Sequence, residues 1–122
     1  MEKIMIVRKD NKVTGVYTAV SEAESFAVLG STVETVAVGD EASCQVGCNF
    51  YPRIITGINK AGRYWTLEVM YACTGADDKW KVDPNRNYKE TYVLNSWGTW
   101  REKGSRCSTL RLGACRSEHF DD

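Results

Sequence analysis

Apolar and polar residues alternate with a period of two along most of the chain, and a helical period replaces it in one place only. Along residues 65–73, Trp65, Leu67, Val69, Tyr71 and Cys73 fall on one side of an extended chain, with Thr66 and Glu68 on the other. This pattern predicts a half-buried strand. Upstream, Ile54, Ile55 and Ile58 form a β-branched run, and Asn59, Lys60, Ala61 and Gly62 supply a short turn in which Gly62 can take a left-handed conformation. Together these runs predict a hairpin over residues 53–73. Trp65, Leu67, Val69 and Tyr71 are assigned to the core.

The rest of the chain is organised around that hairpin. Residues 4–7 and 13–17 read as paired strands joined by a polar turn at 9–12. Ser21 and Glu24 have the spacing of a capping box, and Ala23, Phe26 and Ala27 share a helical face, so a short helix is predicted, stopping at Gly30. Alternation returns over 31–38, with Val36 and Val38 on one side. Residues 39–41 read as a joint, 43–46 as a short strand, and 47–52, with Asn49, Phe50 and Tyr51, as a loop. Residues 74–87 form a long polar connection with turn chemistry at Asp77-Asp78 and Asp83-Pro84-Asn85. Strands are expected again from residue 88, where Glu90, Tyr92 and Leu94 oppose Lys89, Thr91 and Val93, then over 99–102 and 109–112, with a turn at 95–98. The expected fold is α+β: an N-terminal β-β-α-β module over residues 1–38, then a small, strongly bent antiparallel sheet or SH3-like barrel over 39–122, the two forming one compact unit.

Composition adds limits rather than detail. With 43% apolar and 26% charged residues, the chain has the make-up of a soluble globular protein. No segment approaches the roughly 18 apolar residues of a membrane span, and the apolar run after Lys3 is too short for a signal-peptide core, so a cytoplasmic protein without a membrane partner is expected. Sixteen basic and sixteen acidic side chains cancel, which removes any chain-wide field for steering phosphates. The charge is nevertheless segmented: residues 1–50 carry −3, residues 51–116 carry +6 and residues 117–122 carry −3. Five cysteines, Cys44, Cys48, Cys73, Cys107 and Cys115, are an odd number without an export signal and suggest reduced thiols. A zinc site from Cys44, Cys48, Cys107 and Cys115 would lack a tight C-x-x-C spacing. No metal and no cofactor is assigned.

Catalytic constellations are sparse. There is no phosphate-binding glycine loop. The one histidine, His119, lies beside Glu118 and Asp121 near the chain end, where a base is seldom held in place. Cys107 and Cys115 each adjoin an arginine, but neighbours along a strand point to opposite faces. Asp77-Asp78 lacks a third oxygen ligand and reads as a solvated turn. The strongest lead is the segment 86–116, where Arg86, Lys89, Arg101, Lys103, Arg106, Arg111 and Arg116 interleave with Tyr88, Tyr92, Trp97 and Trp100. Cations track phosphates while aromatic faces stack on bases, which suits a nucleic acid or nucleotide; the same residue types also anchor protein interfaces. The structural alternative is a two-faced sheet with aromatics inward and cations outward. The binding set assigned is Arg86, Lys89, Tyr92, Trp97, Trp100, Arg101, Lys103, Arg106 and Arg111.

Several segments taken in order, GDEAS at 39–43, NFYP at 49–52, IITGI and RYWTLEV in the hairpin, DPN at 83–85 and the closing LRLGACRSEHFDD, resemble a group of small uncharacterised proteins encoded by bacteriophages and prophages. The resemblance covers about residues 39–121. Where that group carries an acid, a base and an imidazole, this chain has Asn49, Phe50 and Tyr51. The resemblance implies a mobile-element origin and life in the cytoplasm of an infected bacterium. The expected function is then a non-catalytic accessory protein that binds and inhibits a host defence or regulatory component, or sequesters its ligand. The alternative is a single-stranded nucleic-acid or nucleotide binding domain using residues 86–116.

Overall fold

The computed structural model describes residues 2–104 and 108–117. Among the described residues, strands make up 58% and helix is confined to one short segment, so the molecule is mostly β, with a minor helical part, rather than evenly α+β. The N-terminal part contains β1 (Lys3–Lys9), β2 (Lys12–Tyr17), α1 (Val20–Phe26) and β3 (Thr32–Ala37). They form an antiparallel sheet in the order β2-β1-β3. The β1–β2 turn places Asp10 and Asn11 at φ 54° and 66°, a left-handed conformation that short polar side chains tolerate best.

The predicted capping box does not form. The helix begins two residues early, with Ala19 rather than Ser21 at the cap and no side-chain capping bond, which leaves Ser21 inside the first turn. Packing decides this placement: Ala23, fully buried, sits against Met5 and Val7 on the helix-facing side of β1. Phe26 is not core; it is largely exposed and stacks on Tyr17, with ring centroids 5.3 Å apart. Val38 likewise lies beyond β3 and is exposed, whereas Val36 is buried.

The remaining strands are β4 (Glu41–Val46), β5 (Asn49–Ala61), β6 (Tyr64–Thr74), β7 (Trp80–Val82), β8 (Lys89–Leu94), β9 (Trp100–Glu102) and β10 (Ser108–Leu112). Neighbours run β5-β4-β10-β9-β8-β6, and β5 also pairs with β6, closing a six-stranded antiparallel barrel. Closure requires β5 to bend. A register shift between Ile55 and Gly57 supplies the bend, the role bulges play at barrel corners. The β5–β6 hairpin is longer than its predicted core, turning through Gly62 at φ 62°.

Two segments expected to be irregular are strand. Residues 49–52 open β5 directly after a tight turn at Gly47 and Cys48. Pro52 is tolerated there because β5 has only β4 beside it until pairing with β6 begins at Arg53. Within 74–87, β7 extends the end of β6 through Ala72↔Val82, Cys73↔Lys81 and Thr74↔Trp80.

Ile4 and Ile6, on the other side of β1, join Val36 and the barrel residues Ile58, Trp65, Leu67, Leu94, Trp100 and Leu110 in one buried cluster. The small sheet therefore closes one end of the barrel with apolar side chains. Backbone bonds pin it: Gly39 N–H donates to Ile55 O (2.8 Å) and Ile55 N–H to Asp40 O (2.9 Å). Arg8 Nη1 donates to Gly98 O at 2.8 Å, and a Cβ at Gly98 would collide with that guanidinium. Among the described residues, no helix is long and apolar enough to cross a membrane.

Candidate functional site

The other end of the barrel is open and polar. Register carries Arg53, Tyr71, Glu90, Tyr92 and Cys44 to the interior, because each shares the parity of a buried apolar neighbour: Arg53 with Ile55, Tyr71 with Val69, Glu90 and Tyr92 with Leu94, Cys44 with Ala42. Arg53 is only 6% exposed. Its Nε donates to Glu90 Oε1 at 2.8 Å and its Nη2 to Oε2 at 3.4 Å, a forked pair, while Nη1 donates to Pro52 O at 2.9 Å. Its guanidinium also lies over the Tyr71 ring, 3.9 Å from the centroid.

The network continues through Tyr92, whose hydroxyl donates to Glu90 Oε1 at 3.2 Å, and Cys44 is buried in the same interior. Arg53, Glu90 and Tyr92 thus answer one another, the condition under which burial of a charge pair is tolerated. Burial favours the neutral forms here and pushes the Cys44 thiol up from its ordinary value and the Tyr92 phenol far up. For Arg53, burial acts to lower the value, but the hydrogen bonds and charge of Glu90 outweigh it and keep the guanidinium charged.

Above this floor lies a cleft of about 780 Å³. Tyr51, Tyr71, Cys73 and Trp80 line its walls, with Asp83 and Arg86 contributed by the β7–β8 loop. Asp83 fixes that loop, its N–H donating to Tyr71 O (2.8 Å) and its Oδ1 accepting from Asn85 N–H (2.9 Å). Arg86 is then carried to within 5.6 Å of the Tyr71 ring centroid, so two guanidinium groups flank one phenol. Unlike Arg53, Arg86 is mostly exposed, and its ion pair to Asp83 is long, at 3.9 Å. Tyr88 stands at the rim beside Tyr71, with centroids 5.8 Å apart.

The predicted binding residues do not share one face. Arg86 lines the cleft. Tyr92 and Trp100 lie in the barrel interior, 0% and 2% exposed, because they take the inward parity of β8 and β9. Lys89, Arg101 and Arg111 take the outward parity of the wall formed by β8, β9 and β10, and Lys103 follows β9. Lys89 pairs with Glu68 at 3.7 Å, and Arg111 Nε donates to Gln45 Oε1 at 2.7 Å. Trp97 projects from the β8–β9 turn, 70% exposed. Arg106, Cys107 and His119 lie outside the described residues.

Reasoning from sequence missed Arg53 and misassigned Tyr71 to the core, though a signal was present. Glu90 takes the parity of Tyr92 and Leu94, and an acid on an inward face requires an inward partner. Cys115, considered as a nucleophile, is instead bound into the wall: its N–H donates to Glu41 Oε1 (2.9 Å) and its thiol to Arg53 O (3.2 Å). Burial raises that thiol too, which disfavours the thiolate. Among the described residues no cluster of three or more His, Cys, Asp or Glu could hold a metal ion.

No family model, curated protein or solved structure matches the chain.

Proposed function

We propose that the chain is a phage-encoded, non-catalytic binding protein of the host bacterial cytoplasm, and that its barrel-mouth cleft sequesters a small ligand used by a host defence or regulatory component. The observation that carries this reading is the Arg53–Tyr71–Arg86 stack at the wall of a cleft of about 780 Å³. That volume lies within the roughly 300–1,000 Å³ common for small-molecule sites, which also favour the mouths of β-barrels. The floor is rigid because Arg53 is held at three donors, whereas Arg86 has donors to offer. A flat ring can lie along the aromatic walls of Tyr51, Trp80 and Tyr88 while an anionic group meets Arg86, so the chemistry fits a nucleotide-like ligand. The raised thiols of Cys44 and Cys115 favour holding a ligand over attacking it.

Titration calorimetry against a panel of nucleoside mono-, di- and cyclic phosphates tests the proposal. Binding at the cleft is expected to quench Trp80 fluorescence and to weaken at least about tenfold in Arg86→Ala, the scale of one lost charged hydrogen bond. If no compound in the panel binds, or if Arg86→Ala binds as tightly as the parent, the cleft reading fails.

A further inference from the structure

Among the described residues the small sheet has two open edges, β2 and β3, and only one of them is guarded. β2 opens on Lys12, and its register with β1 shifts between Val7 and Arg8, so it carries a charge and an irregularity that discourage a further strand. β3 carries no lysine and no proline, and it pairs with β1 without a register shift from Lys3↔Ala37 to Arg8↔Thr32. We infer that the outer edge of β3 is a docking site for an extended, basic and apolar segment of a partner protein, which adds to the small sheet as a further strand.

The phase of the ladder leaves the required backbone groups open. Val38 N–H donates to Glu2 O at 2.8 Å, so the alternate residues Val36 and Glu34 also turn toward β1, and Val33, Thr35 and Ala37 turn away from it. Ala37 is already capped: its N–H donates to Asp40 Oδ2 (2.9 Å) and its O accepts from Asp40 N–H (3.1 Å). The N–H and C=O groups of Val33 and Thr35 have no partner among the described residues.

The side chains beside this edge set what the added strand must carry. Val33 and Thr35 share the face of Val7 and Met5, the side on which α1 packs, but α1 lies over β1 and β2 rather than β3. Phe26 leans toward β2 through its stack on Tyr17. At about 100° per helical residue, Val20 and Glu24 then lie on the opposite flank of α1, toward β3. Val20 and Val33 are exposed, and Leu29, in the turn between α1 and β3, is 96% exposed, so an incoming strand meets apolar side chains. Charge decides the remainder. Residues 13–52 contain the acids Glu22, Glu24, Glu34, Asp40 and Glu41 and no lysine, arginine or histidine. Glu34, Asp40 and Glu41 accept bonds from Arg8, Ala37 N–H and Cys115 N–H, whereas Glu22 and Glu24 have no partner among the described residues. Lys3 and Lys9 stand at the two ends of β1, and Arg8 is held by Glu34 and Gly98 O. A basic segment therefore complements this edge. A second copy of the chain fits it less well: the antiparallel register that engages all four open groups on both copies exchanges Val33 with Thr35 and sets Glu34 opposite Glu34, a like-charge pair.

The test titrates the full chain into a fluorescein-labelled peptide, Lys-Lys-Val-Thr-Val-Thr-Val-Lys-Lys, followed by anisotropy. Binding is expected at low salt, with slowed hydrogen exchange at the amides of Val33 and Thr35. Thr35→Pro removes an N–H that β1 does not use and should weaken binding at least about tenfold. Val33→Lys should act in the same direction by placing a guarding charge on the edge. Glu24→Lys should weaken binding at low salt and match the parent at about 1 M salt, where the Debye length is about 3 Å. All three side chains are exposed, and thermal melts confirm that each variant folds. No binding of the peptide, or equal binding of a version with glutamate in place of lysine, overturns the inference. So does a concentration-dependent dimer in sedimentation that Thr35→Pro abolishes, the result expected of a second copy on this edge. Arg86→Ala should bind the peptide as the parent does; loss of binding in that variant would place the peptide in the cleft and overturn the edge reading.

Discussion

The two ends of the barrel are made by the same strands and differ in how they are finished. At one end Ile4, Ile6 and Val36 of the small sheet join Trp65, Leu94 and Trp100 in an apolar seal. At the other, strands of equal parity present Arg53, Glu90, Tyr92 and Cys44, and among the described residues no second layer covers them. The apolar end is held by contacts that are non-directional and tolerate small errors. The polar end is held by a chain of donors and acceptors in which each member depends on the next. Stability can be lost at either end, but the polar end is the one that presents the cleft.

Removing one member of the polar chain should have the largest effect. Arg53→Met leaves Glu90 buried without its partner and is expected to cost about 3–5 kcal/mol, read from urea unfolding midpoints. The double variant Arg53→Met, Glu90→Leu should recover most of that loss. A double variant as unstable as the single one would show that this end requires its charges for more than mutual neutralisation. At the apolar end, Ile6→Ala should cost roughly 3 kcal/mol in the same assay through a cavity between the small sheet and the barrel. Gly98→Ala combines a positive φ of 83° with a collision against Arg8, and should cost about 1–3 kcal/mol.

The pH response should distinguish the two ends as well. The folded chain keeps the Cys44 proton above the value of 9.0 at which a free thiol loses it. The unfolded chain therefore binds fewer protons, and stability should fall as the pH rises past 9.0. Cys44→Ala should flatten that fall in denaturation curves collected from pH 8 upward, and Ile6→Ala should leave its slope unchanged. The smallest stability effect is expected for Arg86→Ala, within about 0.5 kcal/mol, because the side chain is exposed and its ion pair is long. A larger loss would make Arg86 part of the wall rather than a group available to a ligand.

The strands were legible where one face meets apolar core throughout, as in Trp65, Leu67 and Val69 of β6. Legibility failed where the interior turns polar. Tyr71 continues the β6 alternation and was assigned to the core for that reason, yet it lies where the apolar filling ends and the cleft begins. Arg53 stood at the edge of an isoleucine run, and its inward direction depends on a partner 37 residues away that no local pattern contains. The basic and aromatic residues of 86–116 were correctly seen as interleaved, but a period of two divides them between the inside and outside of a sheet. The cleft was not legible because it is assembled from β4, β5, β6, β7, β8, β10 and the β7–β8 loop, and closure is a property of pairing rather than of any one segment. The helix start was misplaced because the cap signal is local, whereas the packing of Ala23 against Met5 and Val7 of β1 is not contained in that segment.

The pairing of β4 with β10 also sets an order in time. Ala42 and Leu112 are partners far apart along the chain, whereas the β5–β6 hairpin closes on itself through a turn at Gly62. Local pairings form before distant ones repay the entropy of closing a long loop. During synthesis, β4, β5, β6 and β8 can assemble as an open sheet with exposed edges before β10 has left the ribosome. Ser108, the first residue of β10, lines the cleft. The cleft therefore comes into being with β10, and a chain truncated before that strand would carry Arg53 and Tyr71 without the wall that encloses them.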